Sequence, residues 1–318
     1  MSVAYMPTSI APKMGEDEAI AWLRSMPEYQ DLVRYTYWNP DILEAANRFS
    51  ASAEFGKVCA IAGDRIKSGA ILDLGAGTGI ASWAFTERGA HRVYAVEPSP
   101  SAEIGRGAIR RLCASRSVEI INASGECLPL LDSSIDLVYA RQVLHHTRDL
   151  RAVLSEIARV LRPGGMLVAC REHVVDNQRQ LQEFLNAHIM HRLTGGENAY
   201  RLSDYINAIQ QAGLTPINTI GPWESVINAF PAVHSEEELR DYPRMLLISR
   251  FGSIGRYISR IPGIDAMIWL RLNRRIPGRM FSFVAIKGLS GTPGLRVAAN
   301  APGDSGSHTI VERIGVCP

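Results

Sequence analysis

Between Ala70 and Cys170 the chain alternates short, nearly continuous apolar runs with longer segments whose apolar positions recur at helical spacing. Ile71 to Leu74, Val93 to Val96, Asp136 to Ala140 and Met166 to Cys170 are runs of the kind a strand buried on both faces shows, and Ala81 to Phe85 opens a helix after the first of them. This alternation predicts a parallel, doubly wound sheet. Ligands bind such sheets beyond the carboxyl ends of the strands. The polar residues that follow each run are therefore the first candidates for chemistry: Asp73, Glu97, Arg141, Gln142, His145, His146, Arg171, Glu172 and His173.

The flanks follow a different pattern. Glu16 to Met26 reads as a helix opening with acids, which suits its N-terminal dipole. Asn39-Pro40-Asp41 reads as a second start, with Asn39 as cap and Pro40 in the first position of a helix over Ile42 to Ile61. The aromatic residues between them, Tyr29, Tyr35, Tyr37 and Trp38, are expected to pack this helical cap. The sharper alternative makes Tyr35, Tyr37 or Trp38 part of the substrate site, because an aromatic face attracts a cation. Beyond Cys170, Asp176 to Leu193 and Leu202 to Ala212 read as helices, the second capped by Ser203 and ended by Gly213. Thr215 to Ile220 and Met280 to Ile286 read as the sixth and seventh strands.

Between those two strands the stripe Leu247, Phe251, Ile254, Ile258 and Ile261 marks one apolar helix face, expected to pack on the core. Arg244, Arg250, Arg256, Arg260, Arg271, Arg274, Arg275 and Arg279 make residues 244–279 basic. An acceptor-pocket wall, a homodimer face and contact with an anionic membrane surface are the alternatives for this insert. The expected division is a flexible N-terminus over 1–16, a helical cap over 17–69, a main α/β domain over 70–289 with insertions at 174–213 and 222–279, and a disordered tail over 290–318.

Composition narrows this picture only slightly. A hydrophobic share of 46% against 21% charged supports a soluble core, and a net charge of +2 calls for no nucleic-acid partner. Five cysteines without a C-x-x-C pair argue for a reducing compartment rather than a disulfide framework. No apolar run is long enough for a spanning helix, and the N-terminus lacks the apolar stretch of a signal peptide. The expected location is cytoplasmic, with no transmembrane segment.

Asp73-Leu74-Gly75-Ala76-Gly77-Thr78-Gly79 joins the first strand to the first helix. Its G-x-G-x-G spacing differs from the G-x-G-x-x-G of dinucleotide sites. An acid before the turn would repel a pyrophosphate and suits a cationic ligand end. With Glu97 closing the second strand, Ala123-Ser124-Gly125-Glu126-Cys127-Leu128-Pro129, Leu144-His145-His146 and Leu161-Arg162-Pro163-Gly164-Gly165 in order, the sequence resembles the class I S-adenosylmethionine-dependent methyltransferases of the small-molecule, methyltransferase-11 type.

The resemblance implies a Rossmann-like, doubly wound seven-stranded sheet with an N-terminal helical cap, a helical insert before the last strand, and that last strand antiparallel. It also implies S-adenosyl-L-methionine as cofactor, with S-adenosyl-L-homocysteine as product. The cofactor would be held by Asp73, Gly75, Ala76, Gly77, Thr78, Gly79, Glu97, Pro98, Ser124, Gly125, Glu126 and Arg141. Ser124 stands where many relatives carry an Asp.

Methyl transfer needs alignment of acceptor, methyl and sulfur, and a base if the acceptor is a hydroxyl. The candidates for that base are His145, His146, Glu172 and His173, with Arg171 and the cap aromatics Tyr35, Tyr37 and Trp38 toward the substrate. The alternative for Arg171 and Glu172 is a salt bridge between them that closes the strand end. His188 and His191 share a helix face without further ligands at suitable spacing, so no metal site is expected. The expected acceptor is a small molecule, with a hydroxyl of a sugar-like or secondary metabolite leading. N- or C-methylation of a natural product, a non-catalytic methyltransferase-like scaffold and a nicotinamide enzyme are the rivals.

Overall fold

The computed structural model describes residues 14–36, 38–272 and 276–289. Seven strands form one sheet: β1 (Ile71–Leu74), β2 (Val93–Val96), β3 (Val118–Ile121), β4 (Ile135–Arg141), β5 (Leu161–Val174), β6 (Leu214–Ile220) and β7 (Arg279–Lys287). They lie in the order β3-β2-β1-β4-β5-β7-β6. The first five are parallel, and β7 runs antiparallel between β5 and β6. The order reverses beside β1, at the β1/β4 boundary, which is the place where doubly wound sheets bind ligands.

Period-two alternation sorts the strand residues into two layers. Leu72 and Leu74, Val138 and Ala140, and Leu167 and Ala169 face one core with the helices Leu150–Val160 and Leu202–Gln211. Ile71, Leu137 and Tyr139, and Met166, Val168 and Cys170 face the other, with the helices Ala53–Ala62, Ile80–Glu87 and Arg106–Leu112. A chain of rings bolts the N-terminal cap to this second layer: Phe49 to Phe55 at 5.0 Å, Phe55 to Phe85 at 5.1 Å, and Phe85 to Tyr139 at 5.3 Å between centroids.

Several boundaries differ from the sequence expectation for local reasons. The helix expected over Ile42 to Ile61 breaks at Ser52, whose hydroxyl accepts from the Phe55 N–H and starts a new helix. Asp41 rather than Asn39 caps the first of this pair, accepting from the Glu44 N–H. The helix at Leu202 is capped from Arg201, with Asp204 accepting the Arg201 N–H, and not by Ser203. β5 is longer than Met166 to Cys170 and takes in Arg171, Glu172 and His173.

The stripe from Leu247 to Ile261 does not pack on the core. The long helix Glu236–Ile258 breaks at Gly252, where φ is 55° and ψ is −128°, so the four-and-three spacing no longer lies on one face. Phe251, Ile254 and Ile261 are exposed. The expected tail over 290–318 and nearly all of the expected flexible N-terminus fall outside the described residues. No described helix is long and apolar enough to cross a membrane.

Candidate active site

The turn after β1 depends on glycine. Gly75, Gly77 and Gly79 have φ of 63°, 55° and 84°, a region that side-chain-bearing residues rarely adopt. A Cβ on Gly75 would lie 2.6 Å from a Val143 methyl, so this glycine lets the loop after β4 close on the turn. A Cβ on Gly77 would meet nothing nearer than the Ile104 carbonyl at 3.9 Å, so its bare face borders open space. The Ala76 N–H is tied to the Val96 carbonyl at 3.0 Å.

Glu97, at the end of β2, closes the cradle. Its two oxygens accept from the Gly77 and Ser99 N–H groups, each at 2.8 Å, leaving further lone pairs for a ligand. Burial raises its carboxyl, and those two N–H groups pull it back down. The Thr78 hydroxyl is buried with no hydrogen-bond partner among the described residues. An open glycine face, an orphaned hydroxyl and a carboxylate with acceptor capacity fit a nucleoside ligand with an amino-acid end.

Asp73 lies deeper than expected. It is 2% exposed and accepts from the Ser82 hydroxyl at 2.6 Å, and burial raises its carboxyl to about 7. Gly125 packs toward Val153, Glu126 accepts from the Arg148 N–H at 3.1 Å, and Ser124 is exposed. The Pro98 and Glu97 carbonyls accept from Arg106, which holds the segment after β2 in place.

Arg141, expected to reach the cofactor, is already engaged. Its guanidinium makes a bidentate pair with Glu54 of the cap, at 2.6 and 3.0 Å, and Glu54 is 1% exposed. Arg141 and Glu54 line an open recess with Tyr35, Thr36, Arg48, Ile80 and Phe230. Tyr35 therefore does face this recess. Trp38 instead packs among Ile20, Leu23, Met190 and Leu193, and Tyr37 lies outside the described residues.

A bulge in β5 separates Arg171 from Glu172. The register slips between Ala169 and Glu172, and Arg171 has φ of 61°. The two side chains leave in different directions and do not pair with each other. Arg171 donates to the Ile227 and Phe230 carbonyls at 2.9 and 2.8 Å and lies 3.9 Å from Glu54. Burial lowers its pKa to about 10 despite that carboxylate.

Glu172 is fully buried and accepts from the Val143 and His145 N–H groups at 3.1 and 3.0 Å, and from His145 Nδ1 at 2.7 Å. With three donors it holds the loop after β4 and orients the His145 ring. His173 Nδ1 donates to the Gly278 carbonyl at 2.8 Å, and burial lowers its pKa to about 3, so it stays neutral. Burial likewise holds His145 well below the usual histidine range. Donation of Nδ1–H to Glu172 leaves Nε2 with a free electron pair.

One partner was missed from the sequence. Gly195 and Gly196, with φ of 78° and 86°, turn the chain so that Glu197 reaches the histidines. Its Oε2 lies 3.7 Å from both His145 Nε2 and His146 Nε2, and its Oε1 lies 3.6 Å from His188 Nδ1. His188 therefore faces a carboxylate instead of merely packing on its helix. The Gly-Gly-Glu turn between two histidine-bearing segments was the available signal. The Tyr200 hydroxyl, donating to the Thr147 carbonyl at 2.8 Å, fixes this turn against the loop after β4.

A parallel sheet with a glycine cradle at its switch point and an acid closing β2 is an arrangement that suits a nucleoside ligand, with a polar side beyond it. Residues 72–169 match the methyltransferase domain family, and this segment is similar to the class I S-adenosylmethionine-dependent methyltransferases. It is 41% identical over 113 residues to the demethylmenaquinone methyltransferase of Clavibacter sepedonicus, a match covering 36% of this chain and 43% of that one. It is 32% identical over 158 residues to the methyltransferase GfsG of Streptomyces halstedii, covering 48% and 54%. The chain thus spans about half the length of these relatives. The structure of a geranyl diphosphate methyltransferase in complex with S-adenosylmethionine superposes with a TM-score of 0.50 at 20% identity, covering 86% of this chain and 94% of that one, and shares the fold.

Proposed function

We propose that the protein transfers a methyl group from S-adenosylmethionine to a hydroxyl of a small molecule, a sugar-like or other polyhydroxylated metabolite. The observation that carries this reading is the junction at Val143. Its side chain abuts Gly75 of the cradle and its N–H is held by Glu172, which also orients His145. Donor and acceptor sides are thereby adjacent, as an in-line displacement requires.

When bound, the cofactor supplies an electrophilic methyl on a sulfonium. Gly77, Thr78 and Glu97 would hold its nucleoside part, and the recess beside Arg141 would take its amino-acid end. Among the four base candidates, His145 and His146 remain. His145 has its free electron pair toward the acceptor side, and His146 is half-exposed and can meet a substrate proton. Glu172 keeps the His145 tautomer, in the manner of the orienting carboxylate of a catalytic triad.

Calorimetric titration with S-adenosylhomocysteine tests the cofactor half. Micromolar binding that weakens at least tenfold in Glu97→Ala is the expected result. A screen of hydroxylated acceptors with methyl-labelled cofactor tests the other half. Binding without transfer to any acceptor would favour the non-catalytic scaffold, and absence of binding would remove the cofactor assignment.

A further inference from the structure

We propose that His145, His146 and Glu197 form a binding site for a divalent first-row transition metal on the acceptor side of the sheet. Their donor atoms, two imidazole Nε2 and one carboxylate oxygen, all lie within 4.8 Å of one another. A tetrahedral ion bound at about 2.0–2.1 Å spaces its ligands by about 3.3 Å. The two nitrogen-to-oxygen separations of 3.7 Å are close to that value. The nitrogen-to-nitrogen edge lies within the same 4.8 Å, and His146 is the exposed member of the three.

The arrangement lacks a cation on its own terms. Glu197 Oε2 is buried with no hydrogen-bond partner among the described residues, on a side chain only 9% exposed. It faces the bare Nε2 of His145 at 3.7 Å, so two lone-pair-bearing atoms, both hydrogen-bond acceptors, oppose each other across the gap. A proton or a metal ion relieves that opposition. The surroundings favour the metal, because Glu172 accepts from His145 Nδ1 at 2.7 Å. This carboxylate–histidine pairing fixes the tautomer and ring of a metal ligand. His188 Nδ1, 3.6 Å from Glu197 Oε1, orients the carboxylate from its other side.

Two imidazoles and one carboxylate suit zinc, cobalt, iron or manganese better than magnesium or calcium, which prefer oxygen throughout. Three protein ligands leave a position open on the exposed His146 side, where an oxygen of the acceptor can bind and give up its proton to solvent, so that in the loaded protein the ion, and no longer either histidine, activates the acceptor.

The site is independent of the methyl donor and is tested with the metal alone. Chelator-treated full-length protein is titrated with cobalt(II) while the visible absorption of the bound ion is followed, then challenged with zinc and with magnesium. One ion per chain, displaced by zinc and not by magnesium, is expected, with affinity lowered at least tenfold in Glu197→Gln and in His146→Ala. Circular dichroism of both variants keeps misfolding separate, and His146→Ala, altered at a half-exposed position, serves if the other fails to fold. Absence of cobalt binding, or equal binding in both folded variants, overturns the site. Failure of the cofactor reading would show only in the homocysteine titration.

A different observation supports a second inference. We infer that the segment beyond the kink at Gly252, the end of the helix Glu236–Ile258 together with the helix Ile264–Leu272, rests on an anionic bilayer surface. Ile254, Tyr257, Met267 and Leu270 are 64%, 72%, 60% and 75% exposed, beside the exposed arginines Arg256 and Arg260. From 252 to 272 Asp265 is the single acid in the sequence, against Arg256, Arg260 and Arg271. Apolar side chains among cations match anionic headgroups over acyl chains. A second copy docking the same patch would set like charges against each other.

Sedimentation with vesicles of phosphatidylcholine, with and without phosphatidylglycerol, tests this. Binding to the anionic vesicles alone, reduced by salt and lost in Tyr257→Ser/Leu270→Ser, is expected. No difference between the two vesicle types, or a dimer in light scattering that the same double variant dissolves, overturns it.

Discussion

Gly75 and Gly77 stand in one turn, yet a methyl group on each should act differently. Gly75→Ala meets Val143 at 2.6 Å as well as a positive φ, so it should destabilise the fold by roughly 2–4 kcal/mol in urea unfolding. Gly77→Ala carries the φ penalty of about 1 kcal/mol alone, while its methyl enters the cradle. It should fold and bind S-adenosylhomocysteine at least tenfold more weakly, and unchanged affinity would displace the cradle. Asp73 gives a pH-dependent case. Burial raises its folded pKa to about 7 from the ordinary 3.8 of an exposed aspartate, so the group costs nothing below about pH 4. The cost grows as pH rises toward 7, because the unfolded chain releases the proton first, and is constant above it. Asp73→Asn removes this cost. Its melting temperature should exceed the parent's at pH 8, by up to roughly 4 kcal/mol in stability, and the gap should close near pH 4. A parent more stable than the variant at pH 8 would contradict the raised pKa.

At the scale of elements, legibility followed the range of the interaction that fixes each feature. β1, β2, β4 and β7 stood out because burial on both faces writes itself into consecutive apolar residues. β3 did not: Val118 to Ile121 carries Glu119 and lies at the sheet edge, where one face is wet. The glycine turn and Glu97 were legible because their spacing is local. The partners of Arg141 and Arg171 were not, since Glu54 comes from the cap and the bulge that turns Arg171 is set by tertiary pairing. Glu197 was hidden for the same reason, as its histidines come from β4's loop and another helix. Glu54 now carries a prediction of its own. Glu54→Ala leaves two guanidinium groups facing each other without a carboxylate, and should cost about 3–5 kcal/mol in denaturant unfolding. A loss under 1 kcal/mol would mean that water reaches both arginines.

The molecule as a whole sets a well-packed sheet against two surfaces that are less finished. One is the outward hairpin with its apolar and basic side chains, whose kink at Gly252 frees the stripe that helical spacing would have buried. The other is the recess between cap and sheet, where Glu54 faces both Arg141 and Arg171. One negative charge against two positive ones leaves that junction a monovalent counter-ion short of neutrality. A ligand with a free carboxylate makes up the deficit, and in doing so ties cap to sheet more firmly than its adenosine part can. S-adenosylhomocysteine should therefore raise the melting temperature well above the shift given by methylthioadenosine, which lacks that carboxylate, at equal saturation. Equal shifts would mean that the junction is neutralised by solvent ions already. Otherwise the ligand acts as the missing ion of the fold, and the empty protein is the looser of two states.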